Sequence, residues 1–368
     1  MTNMYCNSES GEKHLIPLQL LPVEVVFDPS WWAKNAGITF DEDYFYHPVH
    51  RVETERRMEE LLYEKWGQYG LGADRNKSLP LIGATHLAAG FMVSQMLGCK
   101  VEYSATAAPK VECAQIEDLN LPDKAFESKI FRKFENLVET LQTTYGYTCG
   151  DVNWGGILNI SLDLRGQDLF LDLRDRSEDV IRFFRAIAAV LERFTNYVKS
   201  HTGTTSISVN RLVKHFEKPV LLHSECSHTM ISVADYNKFL FEYDLQWSRR
   251  YRPYGIHYCG KDAHRFCEEF KRVEHLDFLD VGWGSDVKIL RASLPNTFFN
   301  LRLSPVELIN QSENQIRNTI LRLVGESGNQ SLTGVCCVNI DHNVTEQQIT
   351  TIFETVAKIR KELTIIEK

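Results

Sequence analysis

The sequence predicts an α/β protein whose main part is a (β/α)8 barrel preceded by an N-terminal helical and aromatic extension. Short apolar runs alternate with longer helical patterns over about 290 residues, which is typical of strand–helix units around a parallel sheet. At least six such units can be traced, and 368 residues are enough for one barrel. Neither G-x-G-x-x-G nor G-x-x-x-x-G-K-[ST] occurs, so a doubly wound nucleotide-binding fold loses its best support.

The individual elements follow from the same alternation. Strands are expected at residues 156–162, 219–223, 255–259, 278–281, 297–301 and 334–340. Helices are expected at residues 177–199, 233–249, 261–269, 313–324 and 345–359. Ser232, Ser312 and Thr345 stand where helix N-caps belong. Gln315 completes a capping-box pattern with Ser312.

The chain is expected to divide into an extension over residues 1–80 and the barrel over residues 81–368. The first part is rich in aromatic and charged groups, including the pair Trp31-Trp32. Within it, residues 52–66 follow the three-to-four spacing of an amphipathic helix. Pro80 and Gly83 mark the expected boundary, after which the regular alternation begins.

Composition narrows the class of protein. The chain is 43% hydrophobic and 24% charged, which suits a soluble globular protein with a large core. A net charge of −8 argues against a broad nucleic-acid-binding surface, which would need clustered Lys and Arg. The start of the chain has no apolar signal-peptide core, and no run is long enough to span a membrane. We therefore expect a cytoplasmic location, with the nine cysteines as thiols or ligands.

The segment His257-Tyr258-Cys259-Gly260 predicts a metal site. Residues two apart on a strand project to the same side, so the side chains of His257 and Cys259 can bind the same metal ion. Imidazole and thiolate are ligands that zinc favours, and three protein ligands with one open position is the arrangement of a catalytic zinc. The alternative is a strand-end histidine and a buried free cysteine, packed without a metal.

The third ligand is expected from the adjacent pair Cys336-Cys337. Adjacent residues on a strand face opposite ways, so only one of the two thiols can point into the barrel mouth. Cys337 shares its parity with the polar residues Asn339 and Asp341, which favours Cys337 as the ligand. A bulge in this strand would reverse the assignment and favour Cys336.

The loop after the strand at 219–223 supplies further candidates. Glu225 could orient substrate, transfer a proton or join the metal, and His228 is a second candidate of this kind. Both are predicted as catalytic residues, against the alternative of a hydrated polar loop. Cys226 competes weakly as a ligand. Asn339 and Asp341 could hydrogen-bond to the ligands or the substrate.

These residues resemble the uroporphyrinogen decarboxylase superfamily and, within it, the zinc-dependent, corrinoid-linked methyltransferases. The resemblance covers roughly residues 155–359. Its marks are the H-x-C-G strand end at 257–260, an acidic turn before a long helix at 172–178, a polar loop at 224–232, a degenerate turn at 300–305 and the late Val335-Cys336-Cys337. The arginine-rich N-terminal run of true uroporphyrinogen decarboxylases is absent, since residues 28–37 contain no Arg.

The resemblance implies zinc held by His257, Cys259 and Cys337, with Cys336 as the alternative. It also implies methyl transfer between a small methylated substrate or thiol and a corrinoid (cobalamin). The corrinoid is expected on a separate partner protein. Asp262-Ala263-His264 begins a D-x-H-x-x-G cobalt-ligating motif, but Cys267 replaces its glycine.

Two other functional hypotheses stay open. One is a metal-free decarboxylase of the same superfamily, which binds substrate carboxylates through Arg side chains and tolerates Cys259→Ser. The other is a non-catalytic zinc-containing module that binds a partner, with the metal site closed by Glu225 or Cys226. A barrel supports many chemistries, so the fold alone does not decide between them.

Overall fold

The structure, a computed structural model, describes residues 15–73, 82, 84–146, 151–202 and 215–366. Six strands form one parallel sheet, and two short strands pair antiparallel as a hairpin. In chain order the strands are β1 Val23–Phe27, β2 Lys100–Glu102, β3 Lys110–Glu112, β4 Leu221–Ser224, β5 Tyr254–Tyr258, β6 Leu276–Val281, β7 Phe298–Arg302 and β8 Thr333–Ile340.

The large sheet has the order β1-β8-β7-β6-β5-β4, and every neighbouring pair is parallel. It curls into a half-barrel with helices between successive strands, which confirms the predicted fold class. Two extended segments continue beyond β4, at residues 87–90 and 151–155. They run parallel through the bridge of Ala88 with Val152, and the Gly156 N–H donates to the Ser224 carbonyl at 2.7 Å.

Fifteen α-helices lie in the described residues. They are α1 Pro29–Ala36, α2 Glu42–Tyr46, α3 Pro48–Trp66, α4 Met92–Met96, α5 Lys129–Tyr145, α6 Ile157–Arg165, α7 Leu169–Asp175, α8 Ser177–His201, α9 Val233–Phe239, α10 Phe241–Arg250, α11 Cys267–Arg272, α12 Val287–Ser293, α13 Pro305–Leu308, α14 Glu313–Glu326 and α15 Glu346–Ile366. None of these helices is both long enough and apolar enough to cross a membrane.

Most predicted elements are confirmed within a few residues of their ends. The helix expected at 261–269 starts as a 3-10 turn and is α-helical only from Cys267, and the helix expected at 345–359 continues to Ile366. One predicted element is wrong. The strand expected at 156–162 is helix α6, in which Ile157, Leu158, Ser161 and Leu164 are buried at helical spacing. A short apolar run does not distinguish a buried strand from a buried helix, and here the helix forms. The helix expected at 233–249 is interrupted at Leu240 and forms α9 and α10.

The predicted helix caps are confirmed. Ser232 and Ser312 each form a capping box, the second with Gln315 as expected. Thr345 accepts a hydrogen bond from the Gln348 N–H at 3.2 Å and so caps α15.

The N-terminal segment is joined to the sheet. Strand β1, which lies within residues 1–80, pairs along its length with β8. Trp31, Trp32 and Trp66 are buried in the main hydrophobic core, where their rings pack around Phe27. The boundary expected at Pro80 and Gly83 lies outside the described residues, and the division at residue 80 stays a prediction.

The interior of the half-barrel is apolar at its base and polar above. Phe216, Leu222, Phe278 and Phe298 form a separate buried cluster at the base. Two residues further along the strands, the inward side chains include Asp280 and Asn300, both fully buried. This polar layer lies next to the carboxyl ends of the strands, where barrel enzymes place their active sites.

Candidate metal centre

Three side chains converge at the carboxyl end of β5. His257 lies on β5, Cys259 directly follows it, and Cys226 lies in the 3-10 turn after β4. One ligand atom from each, an imidazole nitrogen and two sulfurs, lies within 4.8 Å of the other two. His257 and Cys259 thus face the same side, as the two-residue spacing predicts.

The ring of His257 is fixed from both sides. Its Nδ1 lies 2.7 Å from Asp280 Oδ2, and Arg302 Nη1 donates to its Nε2 at 3.1 Å. Since a guanidinium only donates, Nε2 holds the lone pair and Nδ1 carries the proton. Burial acts to lower the pKa of His257, but the hydrogen bonds to Asp280 and Cys259 outweigh it and raise the pKa overall. Asp280 therefore presents Nε2 as a ligand atom.

The pKa values of the Cys226 and Cys259 thiols are shifted in opposite directions. A hydrogen bond from the Cys226 thiol lowers the pKa of Cys259 to about 4, assisted by His257 and Arg302. The same hydrogen bond, together with burial, raises the pKa of Cys226. The lowered pKa favours the thiolate of Cys259, which is the form that binds a metal. Arg302, 5% exposed, supplies the positive charge beside it.

The pair Cys336-Cys337 lies outside this group of three. Cys337 packs in the main hydrophobic core, and its thiol points to the Leu303 carbonyl at 3.8 Å. Cys336 is paired with Arg302 across the sheet and lies on the inner side, fully buried. The orientation expected for the two thiols is therefore reversed.

A β-bulge is the reason for this reversal. Val26 and Phe27 of β1 pair with Val338 and Ile340, so Asn339 is an extra residue in β8. Asn339 has a φ of 66°, in the left-handed region. The prediction for Cys337 assumed that side chains alternate regularly between Cys337 and Asn339. The extra residue breaks this alternation, so the prediction placed Cys337 on the wrong face of the sheet.

Glu225 is fully buried and binds backbone. Its carboxylate accepts hydrogen bonds from the Leu158 N–H at 2.8 Å and the Asn159 N–H at 3.1 Å, at the start of α6. A carboxylate at this place satisfies free helix N–H groups and the positive end of the helix dipole. Gly156 leaves the room for it, because a Cβ there would lie 2.4 Å from Glu225 Oε2. Glu225 thus attaches the turn that contains Cys226 to the start of α6.

Asn159 holds the same turn by its side chain. Its Oδ1 accepts from the Ser227 N–H at 3.0 Å, and its Nδ2 donates to the Ser224 carbonyl at 3.0 Å. The chain is thereby hydrogen-bonded to α6 both before Cys226, at Ser224, and after it, at Ser227.

His228 is buried among aromatic rings of Tyr236, Tyr258 and Phe266. Neither of its ring nitrogens has a hydrogen-bond partner in the described part of the chain. Burial lowers its pKa to about 4, so the ring is neutral near pH 7. Its predicted catalytic role stays a prediction.

A cleft of about 620 Å³ opens over the three candidate ligands. Its wall includes Trp283, Arg302, Asn339 and Asp341, all at or beyond the carboxyl ends of their strands. Asn339 and Asp341 thus border the cleft, and their hydrogen bonding to the ligands or the substrate stays a prediction. The cleft also reaches Val306, which is 67% exposed.

Sequence reasoning gave too little weight to Cys226 and missed Asp280 and Arg302. A signal was present for Asp280, since an acidic residue within the apolar run 278–281 needs a buried partner. Cys226 follows a strand directly, which is the place of functional residues in a barrel. Asp262 accepts a hydrogen bond from the Tyr258 hydroxyl at 2.5 Å and pairs with Arg265, so its carboxylate is held by neighbouring side chains.

The donor set fits a zinc ion. Two sulfurs and one imidazole nitrogen are the ligands of a three-residue zinc site, and a fourth position remains for water or substrate. The Asp280–His257 contact is the carboxylate–histidine support that metal-binding histidines usually have.

Solved structures share this fold. A methyltransferase from Methanosarcina mazei superimposes with a TM-score of 0.63 at 11% identity, over 95% of each chain. A B12-independent methionine synthase from Shewanella sp. W3-18-1, in complex with selenomethionine, gives a TM-score of 0.51 at 11% identity, over 94% of this chain and 100% of that one. No protein-family model matches the sequence, and no curated protein matches it significantly. At this identity the likeness establishes the fold.

Proposed function

We propose that this protein is a zinc-dependent methyltransferase whose metal is held by Cys226, His257 and Cys259. The observation behind this proposal is the convergence of their three ligand atoms within 4.8 Å at the carboxyl end of the sheet. The neighbouring structures are named as a methyltransferase and a methionine synthase, which supports methyl transfer as the reaction class. The resemblance to the uroporphyrinogen decarboxylase superfamily points to the same class.

The residues of the chain have distinct parts in this proposal. Asp280 holds the proton of His257 at Nδ1 and keeps the lone pair on Nε2, where a metal would take the place of the hydrogen bond from Arg302. Arg302 balances the charge of the thiolates. Glu225 and Asn159 position Cys226 through its turn. When bound, zinc acts as a Lewis acid toward the heteroatom from which, or to which, the methyl group moves.

The methyl group would be exchanged with a corrinoid on a separate partner protein. We further propose that the protein acts in the cytoplasm, where these thiols stay reduced.

The first test is zinc content per chain in protein purified without chelator. We expect about one zinc in wild type and Cys337→Ala, and none in Cys259→Ala or Cys226→Ala, because each of the latter removes one of three ligands. Loss of zinc from Cys337→Ala with retention in Cys226→Ala would restore the ligand set expected from the sequence. No zinc in wild type would favour a metal-free decarboxylase of the same fold.

The second test is methyl transfer to free cob(I)alamin, followed by the absorbance change of the cobalamin. Candidate donors are methylated amines, methoxy-aromatic compounds, methanol and methyl thioethers. Wild type should methylate cobalamin with one of them, and zinc-free Cys259→Ala should not. Full zinc without transfer from any donor would favour the non-catalytic partner-binding module.

A further inference from the structure

A second, smaller pocket adjoins the metal centre. It has a volume of about 340 Å³ and shares two wall residues, Asn153 and Cys226, with the larger cleft. Since Cys226 is one of the three candidate metal ligands, a molecule in this pocket lies next to the metal centre. The pocket is formed between the start of α6 and the segment around residue 90.

An acidic side chain lines this pocket. Among the described residues that line it, Asp163 is the one with an ionisable carboxyl or a basic group, and Arg302 lines only the cleft. Asp163 Oδ2 accepts a hydrogen bond from the Ser94 hydroxyl at 2.6 Å, and it forms no ion pair within the described ranges. Burial raises the pKa of Asp163, the hydrogen bond from Ser94 opposes this rise, and the negative charge of Glu225 adds to it. A carboxylate in this setting is stabilised by a cation.

The remaining wall is aromatic and apolar. Phe91 lines the pocket together with Val111 and Leu162. Aromatic faces attract cations, and methylated ammonium groups combine a positive charge with an apolar methyl surface. Trp154 also borders the pocket, but it is 2% exposed, its ring packs against His223 and Trp247, which do not line the pocket, and its Nε1 has no hydrogen-bond partner in the described structure. The Ser224 hydroxyl, in the same wall, is likewise without one.

We propose that this pocket binds a small methylammonium compound, with Asp163 as its counter-charge and Phe91 as its aromatic wall. An anionic compound would meet Asp163, and a neutral one would leave its charge uncompensated. The proposal names the substrate class for the proposed methyltransferase, and its link to the reaction rests on that function. The binding of the cation does not depend on zinc.

The test is isothermal titration calorimetry of the full chain with choline and with dimethylbutanol, the neutral isostere in which carbon replaces nitrogen. Choline should bind and dimethylbutanol should not. Asp163→Asn keeps an acceptor for Ser94 but should weaken choline binding by about tenfold or more, since it removes the counter-charge. The matched control is Asp168→Asn, an exposed acid one turn further along the chain.

Further measurements separate this inference from the proposed function. Phe91→Leu should also weaken choline binding while leaving Asp163 in place, and the thermal unfolding of each variant checks its folding. The titration is repeated on chelator-treated protein, where choline should still bind. Binding of both compounds alike, no binding of choline by wild type, or unchanged binding by folded Asp163→Asn would overturn the proposal, even if zinc is present.

Discussion

At the scale of single residues, the site depends on a histidine whose ligand atom is chosen by its neighbour. His257 has Asp280 at Nδ1 and Arg302 at Nε2, and both contacts leave the lone pair on Nε2. Asp280 is itself held by Asn300, whose Nδ2 donates to its Oδ1 at 2.5 Å. Carboxylate partners of this kind fix both the tautomer and the orientation of a metal-binding histidine.

Asp280→Asn should therefore lower zinc affinity by about 10- to 100-fold without removing a ligand. The amide can still accept from Nδ1, but it lacks the charge that strengthens His257 as a ligand. Competition with a chromophoric chelator measures the affinity. Asp277→Asn is the control on the same strand, since Asp277 pairs with Arg252 at 2.8 Å, away from the cleft. Equal affinity in wild type and Asp280→Asn would contradict this role.

Single residues also decide how far the site can be predicted from sequence. The two-residue spacing of His257 and Cys259 is local, and strand geometry alone places both side chains together. The third thiol depends on whether β8 is regular. Asn339 forms the bulge there, and asparagine tolerates a positive φ without any marker such as glycine. Cys226 reaches the group only because its turn is bound to α6, a long-range contact that no local pattern shows.

At the scale of elements, sequence patterns located five of the six predicted strands. Those strands are bounded by helices with clear amphipathic spacing, such as α8 and α14, so their limits follow from the alternation. The exception is α6, whose apolar residues fit the pattern of a buried strand as well as that of a buried helix. The contribution of β1 to the sheet was missed because its partner β8 is more than 300 residues away.

Helix α6 acts as the support of the metal centre through Asn159. We expect Asn159→Ala to free the turn at 224–227 and so weaken coordination by Cys226, while His257 and Cys259 stay in place. Cobalt substitution provides the readout, because thiolate-to-cobalt absorbance scales with the number of bound sulfurs. The variant should lose about half of that absorbance if one of two thiolates is released.

The control for this prediction is Asn237→Ala. Asn237 also makes two side-chain hydrogen bonds, with Glu269 and Arg272, but lies outside the cleft wall. If Asn159 has only a structural role, Asn159→Ala and Asn237→Ala should both be less thermally stable than wild type, and both should keep the full cobalt absorbance.

At the scale of the whole molecule, a buried polar network joins the outer side of the sheet to its helices. His223 on β4 lies 2.8 Å from Asp244 on α10 and 3.4 Å from Glu225. Asp244 also accepts from the hydroxyls of Tyr236 on α9 and Tyr254 on β5, each at 2.5 Å. The network thus links four elements and, through Glu225, the turn that carries Cys226.

The charge state of His223 makes this network dependent on pH. Burial acts to lower the pKa of His223, but the charge and hydrogen bond of Asp244, with a smaller contribution from Glu225, raise it to about 9. Its value in the unfolded chain is about 6.5. Because the folded value is the higher one, the stabilisation is complete below about pH 6.5 and is lost as pH rises through about 9.

We therefore expect the difference in unfolding free energy between wild type and His223→Gln to shrink from pH 6 to pH 9.5, by at most about 3 kcal/mol at 1.4 kcal/mol per pKa unit. Urea denaturation of chelator-treated protein at each pH measures it. The Cys259 thiol titrates in the opposite sense but is present in both proteins, so its contribution cancels in the difference. A constant difference for His223→Gln would mean that His223 is neutral in the folded protein and that Asp244 is held by its tyrosines alone.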